Sequence, residues 1–505
     1  MSLGWSELLD VLRRDDLLIS STGAPGPLTA LTDDSRTASP GAAYVAVRGT
    51  RTDGHRFVGD ALRRGATALV VELPPDARDD RAAGAAGNGP ANTPACAVVR
   101  DGRRAALALG RAWYQDPARR LRLVGVTGTN GKTTTVSLVR HLLNARGTAG
   151  SIGTIGALDG AGASVDSTAG TLTTPGPIDL QATLAALAAR GVTDVAMEAS
   201  SHSLDQGRLD GLTFAAGIFT NVTRDHLDYH GTMEAYLAAK LKLSTLLGTT
   251  GAEVVNADDG AWAAMRVREP RVTFGLAPAA QVRATALDLD ASGSRFTLSG
   301  RFGDVAVTLP LLGDFNVVNA LGAAACALTL GLSAAEVAGR LGAAPQVPGR
   351  MERISARPCV VLRDYAHTPD ALERALRALR PLTRGRLIVL FGCGGDRDRG
   401  KRPIMGRLAA ELADLAVVTS DNPRTEDPDA IIDEIERGMG GARHLRATDR
   451  YAAITAALDA ARAGDTILLA GKGHETYQVV GTDKLPFDER DIVARAVGES
   501  DGRGR

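Results

Sequence analysis

The sequence predicts an α/β protein of several domains built on mostly parallel sheets. Apolar runs of strand length alternate with segments of helical periodicity, once from Leu121 onward and again from Cys359 onward. Several of those strands end in glycine-rich or polar loops. At 505 residues the chain exceeds what one hydrophobic core supports, so about two to four domains are expected.

The elements follow in order. The opening "MSLGWSELLDVLRRDD" has no apolar core of signal-peptide length and carries acids, so no leader is read there. Residues 76–95, "DARDDRAAGAAGNGPANTPA", lack periodicity and read as a surface insertion within a first unit, residues 1–116. "YQDPARR" reads as a linker. A second unit, 117–347, carries the strands "LRLVGVTG", "VTDVAMEA" and "AAGIFTNV", with helices in "KTTTVSLVRHLLNARG", ending at Gly147, and "TMEAYLAAKLKLSTLLG". From Val317, "VVNALGAAACALTLGLSAA" is too weakly apolar for a membrane span and reads as a buried helix ended by Gly331. Ser333 and Glu336 form a capping box for the next helix. After the linker "APQVPGRMERI" the third unit, 348–505, restarts the alternation with strands in "CVVLRDYAH", "RLIVLFGCGG", "LAVVTSDNPR" and "DTILLAGKGHE". In open α/β sheets ligands bind beyond the carboxyl ends of strands. Asp364, the loop from Gly392, the "DNPR" loop and the "GKGHE" loop are therefore expected to face one crevice.

Composition narrows the function. Formal charge balances at zero, with no long basic block, which argues against nucleic acid as a partner. Hydrophobic content of 44% and charged content of 23% suit a soluble protein without membrane insertion. The four cysteines, Cys96, Cys326, Cys359 and Cys393, form no C-x-x-C pair and read as reduced thiols in the cytoplasm.

"GVTGTNGKTTT" follows a strand and opens a helix. Its amides, across Gly128, Thr129, Asn130, Gly131 and Thr134, suit phosphate. Lys132 reaches the terminal phosphates, and the Thr133 hydroxyl suits Mg²⁺. The generic phosphate-loop pattern asks for glycine where Val126 stands. Glu198, at a strand end, suits a metal ligand or a base. His226 and His230 each suit a metal, a phosphate or a structural hydrogen bond.

"GTNGKTTT", "MEASSH", "TNVTRDHLDYHGTMEAYLAAK", "GDFNVVNALGAAA", "DYAHTPDAL" and "GCGGDRDRGKRP" together resemble the Mur ligases of peptidoglycan synthesis. The resemblance runs from about residue 30 to the C-terminus and is loosest in the N-terminal third. It implies a UDP-substrate domain, a central phosphate-loop ATPase and a C-terminal Rossmann-like domain, which swings to close over ATP. It also implies ATP and Mg²⁺ as cofactors, an acyl-phosphate mechanism and a monomeric cytoplasmic enzyme. Carried over residue by residue, Lys132, Glu198, His226 and Lys240 are catalytic, and Thr133, Glu198, His226 and Lys240 serve the metal. Asn316, Arg350 and Asp364 serve the nucleotide's adenine and ribose. Ser35, Thr173, Thr174, Ser200, Gln206 and Arg208 serve the UDP-sugar-peptide, UDP-N-acetylmuramoyl-L-Ala-D-Glu. Lys240 resembles a lysine carbamylated by CO₂ into a metal-binding anion, which requires the neutral amine, whereas free lysine has a pKa of about 10.4. Without the resemblance, Lys240 reads as an ordinary cation beside Lys242.

The loop "DNPR" is a good turn in its own right, but it resembles that of diaminopimelate-adding members. Diaminopimelate and lysine share an amine and differ by one distal carboxylate. The fork-shaped guanidinium of Arg424 suits that carboxylate and would be left unpaired by lysine. Arg397 matches a second carboxylate contact. Asp421, Asn422 and Pro423 complete the loop, and Gly471 and Glu475 match contacts to the distal ammonium. The alternatives are a lysine-adding member, a D-Ala-D-Ala-adding ligase, a folylpolyglutamate synthase, a phosphate-loop switch and a non-catalytic binding module.

Overall fold

The computed structural model describes residues 3–49, 52–73, 94–145, 148–165 and 172–498. The chain divides into two compact units, residues 1–255 with 259–272, and residues 256–258 with 273–505. The expected insertion lies outside the described residues up to position 93.

The first unit opens with the amphipathic helix Trp5–Arg14, whose Leu8 and Leu12 are fully buried. A five-stranded sheet follows, from β1 (Leu18–Thr22), β2 (Ala30–Thr32), β3 (Ala42–Val45), β4 (Ala68–Val71) and β5 (Ala95–Val99), in the order β1-β5-β4-β3-β2. Only β1 is antiparallel to its neighbour. Helices Trp5–Arg14 and Gly102–Trp113 pack on one face through Leu8, Leu12, Ala105 and Leu109 against Val45, Val70 and Val99.

The same unit holds β6 (Arg122–Thr127), β7 (Ala149–Gly153), β8 (Gly156–Leu158), β9 (Asp194–Glu198), β10 (Phe214–Phe219) and β11 (Leu247–Asn256), in the order β11-β10-β6-β9-β7-β8. All neighbours are parallel except β7 and β8. Parallel strands need crossover connections, and helices Lys132–Leu143, Pro177–Ala189 and Met233–Thr245 supply them. Two helix ends differ from the expectation. The helix after the phosphate loop stops at Leu143, where the Asn144 side chain turns to accept from the Ala149 amide and opens β7. Gly147 lies outside the described residues. The helix from Met233 stops at Thr245 rather than Gly248, because Leu247 already pairs with Phe214.

The second unit begins with strands that periodicity had not singled out: β12 (Arg271–Gly275), then the antiparallel β13 (Val282–Asp290), β14 (Gly293–Gly300) and β15 (Val305–Leu309). Helix Asp314–Thr329 follows. Gly331 ends it at φ +100°, and Ser333 and Glu336 cap helix Ala334–Gly342 as expected. Among the described residues no helix is long and apolar enough to cross a membrane, and all four cysteines are free.

The last sheet contains β16 (Glu352–Ser355), β17 (Val360–Asp364), β18 (Leu387–Phe391), β19 (Leu415–Thr419), β20 (His444–Ala447) and β21 (Thr466–Ala470), ordered β16-β17-β21-β18-β19-β20. Its parallel register pairs Asp364 with Ala470, Leu390 with Leu469 and Val418 with Phe391. The four carboxyl ends therefore lie along one edge, as the sequence predicts. A hairpin, β22 (Tyr477–Val480) and β23 (Asp483–Pro486), follows that edge.

One buried ion pair fixes the edge. Arg450 and Glu489 are both almost fully buried and meet at 2.7 Å, while the Arg450 guanidinium also donates to the carbonyls of Ala470 (2.9 Å) and Ser420 (3.4 Å). Removing one partner leaves an uncompensated buried charge. Arg450→Met is expected to lower unfolding stability by about 3–5 kcal/mol, and adding Glu489→Leu to recover much of that loss. Denaturant unfolding of both variants checks this. A double variant no more stable than the single one contradicts it.

Candidate active site

In the first unit, the loop from Gly128 to Gly131 leaves β6 and turns into helix Lys132–Leu143. Val126, where the generic pattern has glycine, is a strand residue paired with Glu198 and Ile218, so the tight turn starts only at Gly128. A Cβ at Gly128 would meet the Thr220 hydroxyl at 1.9 Å, which only glycine tolerates. The segment after β10 clasps the loop. Thr129 N donates to Asn221 O (2.7 Å) and Asn130 N to Asn221 Oδ1 (2.9 Å), while Thr220 Oγ1 donates to Asn130 O (2.8 Å). Thr220 and Asn221 were not singled out from the sequence. Their signal was only that "TNVT" follows a strand adjacent to the loop strand.

Two lysine amines converge on one carbonyl in this loop. Lys132 Nζ donates to Gly128 O (3.0 Å) and Thr129 O (2.8 Å), and Lys240 Nζ donates to Gly128 O (2.7 Å). Lys240 is 1% exposed and its amine lies 4.1 Å from the Tyr236 ring centroid. Burial, with the Lys132 charge beside it, pushes the Lys240 amine well below the usual lysine range. The ordinary-cation reading of Lys240 beside Lys242 does not hold. Lys242 is half-exposed and pairs with Asp205 instead.

Glu198 sits at the end of β9, opposite Val126 in register, and is 1% exposed. Its carboxylate accepts from Thr154 N (2.8 Å) and Thr154 Oγ1 (3.2 Å). A Cβ at Gly153 would come within 2.5 Å of Glu198 Oε1, so glycine keeps that space open for the carboxylate. Five of the expected UDP-substrate residues gather around it. Thr154 Oγ1 and Thr173 Oγ1 lie 3.3 Å apart, Thr174 Oγ1 donates to the Glu198 carbonyl (2.8 Å), and Ser200 caps the next helix turn through Ser203 N. Arg208 donates to Thr174 O (2.9 Å) and to Gln206 Oε1 (2.9 Å from Nε). Ser35 is buried in the short 3-10 turn Ser35–Thr37 after β2, in the first sheet's part of the unit. Two residues before it is Asp33, which the sequence reading did not select. Burial and then Asp179 push the Asp33 carboxyl up to about 7, with Arg208 opposing.

His226 starts a short helix in the left-handed region, φ +52°, with Nε2 3.4 Å from Asp225 Oδ2. Burial and the charges of Lys132 and Lys240 hold its imidazole below the usual range, against Asp225. His230 Nε2 lies 3.0 Å from Ser201 Oγ. His202, unselected from the sequence, packs between them with ring centroids 4.8 Å from His226 and 5.4 Å from His230, and burial drives it to about 4. Among the described residues no three His, Cys, Asp or Glu side chains form a metal-holding group.

In the second unit, the four strand-end loops meet. Asp364 is half-buried and accepts from the amides of Met351 (2.7 Å) and Ala366 (2.9 Å); desolvation raises its pKa, with Arg350 opposing. Arg350 stacks over Tyr365 at 4.7 Å. Asn316 is 2% exposed, and its amide is engaged within its own helix start, with Leu312 O (2.9 Å) and Asn319 (3.1 Å), rather than with Arg350 or Asp364. Gly349 contacts the "GKGHE" loop so closely that a Cβ would meet His474 N at 2.1 Å.

The "DNPR" loop turns inward. Arg424 is partly buried at φ +53°, and its Nη1 donates to Gly395 O (2.8 Å). Its guanidinium therefore lies against the loop after β18 rather than in bulk water. Pro423 is buried behind it, its carbonyl 1.9 Å from a Cβ at Gly395. Arg397 is exposed and bonds Asp396 O (3.0 Å). At the other end, Asp421 is 8% exposed, and its Oδ2 has no hydrogen-bond partner among the described residues. A Cβ at Gly471 would sit 2.6 Å from that oxygen. An uncompensated buried carboxylate oxygen is costly unless a donor arrives. Glu475 Oε2 accepts from Asn422 Nδ2 (3.0 Å). Hairpin β22–β23, which sequence reasoning passed over, clamps this loop: Arg424 N donates to Val479 O (3.1 Å), and Gln478 Nε2 donates to Asp421 O (2.6 Å).

The chain matches the Mur ligase middle domain over residues 126–327, the Mur ligase glutamate ligase domain over 349–473 and the Mur ligase family catalytic domain over 27–101. It is 44% identical to the UDP-N-acetylmuramoyl-L-alanyl-D-glutamate--2,6-diaminopimelate ligase of Synechococcus elongatus, over 94% of each chain. It is equally identical to the enzyme of that name from Alkalilimnicola ehrlichii, over 94% of this chain and 96% of the relative. A solved structure of a UDP-N-acetylmuramoyl-L-alanyl-D-glutamate--2,6-diaminopimelate ligase superposes with a TM-score of 0.62 at 31% identity, over 99% of both chains. Family matches in three successive segments, with relatives aligned over nearly the whole chain, establish that this protein belongs to the Mur ligase family.

Proposed function

We propose that this protein is an ATP-dependent ligase that joins 2,6-diaminopimelate to the D-glutamate of UDP-N-acetylmuramoyl-L-Ala-D-Glu, in cytoplasmic peptidoglycan precursor synthesis. The observation that carries this reading is the polarity of the strand-end pocket. Around the "DNPR" loop the Arg424 guanidinium lies against Gly395 O, while Asp421, with an unpartnered carboxylate oxygen among the described residues, and Glu475, held by Asn422, bring negative charge. A substrate with a distal carboxylate and a distal ammonium satisfies both, and lysine satisfies only one.

The division of labour follows. Residues 1–116 with Ser35 take the UDP end. Residues 117–347 hold ATP on the Gly128–Thr134 loop, and Thr173, Thr174, Ser200, Gln206 and Arg208 hold the peptide end of the UDP-substrate. Residues 348–505 present the amine, and Asn316, Arg350 and Asp364 are assigned to the nucleotide's adenine and ribose. A carboxylate is a poor acyl donor. One of its oxygens attacks the γ-phosphorus and ADP leaves; the diaminopimelate amine then attacks the acyl carbon, phosphate leaves and the amine loses a proton. Lys132 and the helix N-terminus hold the phosphates while their charge shifts.

Mg²⁺ fits the donors present. The Thr133 hydroxyl and the Glu198 carboxylate are hard oxygen donors that would hold it, a carbamate formed on Lys240 would add another, and His226 would be the one nitrogen donor. Bound there, the cation would neutralise charge on the transferred phosphoryl group. The buried Lys240 amine is suited to carbamylation, because CO₂ reacts only with the neutral form.

Three outcomes are expected. Arg424→Ala should raise the diaminopimelate KM by about 10- to 100-fold and leave the ATP KM little changed; steady-state kinetics decide, and an intact preference for diaminopimelate over lysine refutes the assignment. Lys240→Ala should abolish turnover, with short carboxylic acids restoring part of it; no rescue, with metal binding intact, counts against the carbamate. The third concerns Asp33, whose carboxyl rises from 3.8 to about 7 in the fold. A raised carboxyl pKa favours the protonated folded state, so its contribution is fully present below 3.8, is lost as pH climbs to about 7 and changes no further above it. Thermal scans of Asp33→Asn should therefore show a stability gain over the parent that is absent near the acid end and grows to a plateau at neutral pH. A gain independent of pH contradicts this.

A further inference from the structure

We infer that Lys472 is a positioning residue for the amino-acid pocket: by saturating the side-chain carbonyl of Asn422 it turns that amide's NH₂ onto Glu475, and so holds Glu475 at the substrate's ammonium. The inference rests on the diaminopimelate reading above and adds a residue to it.

Lys472 is fully buried at the carboxyl end of β21. Its Nζ donates to Asn422 Oδ1 (2.8 Å) and to Tyr477 O (2.9 Å), and lies 3.6 Å from Glu475 Oε2. The Val479 amide donates to the same Asn422 Oδ1 at 2.9 Å. Two donors occupy both lone pairs of one amide oxygen. The reversed amide would set its NH₂ against an ammonium and an N–H, leaving the NH₂ and the Val479 N–H without an acceptor at a position only 6% exposed, while the ammonium keeps only Tyr477 O and the Glu475 charge. The orientation is therefore forced, and Asn422 Nδ2 must face Glu475 Oε2, which it does at 3.0 Å. Glu475 is held from two sides, by the amide and by the Lys472 charge. The geometry makes a relay from a buried cation, through a fixed amide, to a carboxylate at the pocket.

A neutral hydrogen-bonding side chain should replace Lys472 better than an apolar one of similar length. Lys472→Met removes the donor, and Lys472→Gln keeps one. Diaminopimelate and ATP KM values are measured for both, in the parent and in an Asn422→Ala background. The expected result is a diaminopimelate KM raised about tenfold by the Met variant and less by the Gln variant, with the ATP KM nearly unchanged. In the Asn422→Ala background either change should add less than in the parent, because only the direct Lys472–Glu475 charge contact is left to lose. An unmoved diaminopimelate KM, or an equal effect in both backgrounds, overturns the inference. Should the Met variant be insoluble, the Gln variant across the two backgrounds makes the same comparison. A parent enzyme that shows no dependence on diaminopimelate defeats the pocket reading itself, whereas a normal parent with an unaffected Lys472→Met variant defeats only the role given to Lys472.

Discussion

The carbonyl oxygen of Gly128 takes hydrogen bonds from two lysine amines, and much of the active-site chemistry depends on that arrangement. Two unit charges 4 Å apart repel by about 4 kcal/mol at an effective dielectric constant of 20. In a pocket where Lys240 is 1% exposed, both amines cannot comfortably stay cationic. The repulsion is relieved in two ways that suit a phosphoryl-transfer site. Anionic phosphates can neutralise Lys132, and Lys240 can give up its proton. The second route makes an amine nucleophilic toward CO₂. The buried Glu198 carboxylate, kept in place by Thr154 and by the missing Cβ of Gly153, stands at the adjacent strand end. A loop that crowds cations before substrate arrives is preorganised for anions rather than for rest.

The amino-acid pocket is built on a different constraint. A parallel register places the ends of β17, β21, β18 and β19 along one edge, and buried charges hold the loops that leave it. Arg450 grips the carbonyls of Ser420 and Ala470 from beneath. Arg402, fully buried, bonds Glu426 (2.8 Å) and Glu434 (2.9 Å), and Glu426 accepts from the Asp396 amide (2.6 Å). The loops carrying Arg397 and Arg424 are thereby tied to each other. Each of these buried ion pairs also braces the loop it underlies, Arg450 through the carbonyls of Ser420 and Ala470 and Arg402 through Glu426.

Much of this was legible in the sequence because the signals were local. "GTNGKT" after an apolar run announces a phosphate loop, and glycine beyond Thr329 announces a helix end. Alternating strand and helix patterns announced the sheets. Long-range partners were not legible. Nothing local in "TNVT" says that Thr220 and Asn221 will brace the phosphate loop, since that follows from β10 lying beside β6. Asp33 drew no attention because its raised pKa comes from tertiary burial and then from Asp179, far away in sequence. The hairpin after "GKGHE" was passed over because its short strands carry little periodicity, yet it holds Asn422 and Arg424. The helix ends at Leu143 and Thr245 were misplaced for the same reason: a tertiary pairing claimed residues that propensity alone would have left helical.

In the proposed reaction ATP cleavage is coupled to an amine carrying a distal carboxylate. Its most direct test is phosphate release by the unmodified protein with ATP, Mg²⁺ and UDP-N-acetylmuramoyl-L-Ala-D-Glu, in parallel reactions containing diaminopimelate isomers, lysine or no amine. The account predicts sustained release with at least one diaminopimelate isomer, and little with lysine or without amine. Comparable release with lysine, or release that ignores the amine altogether, would contradict it.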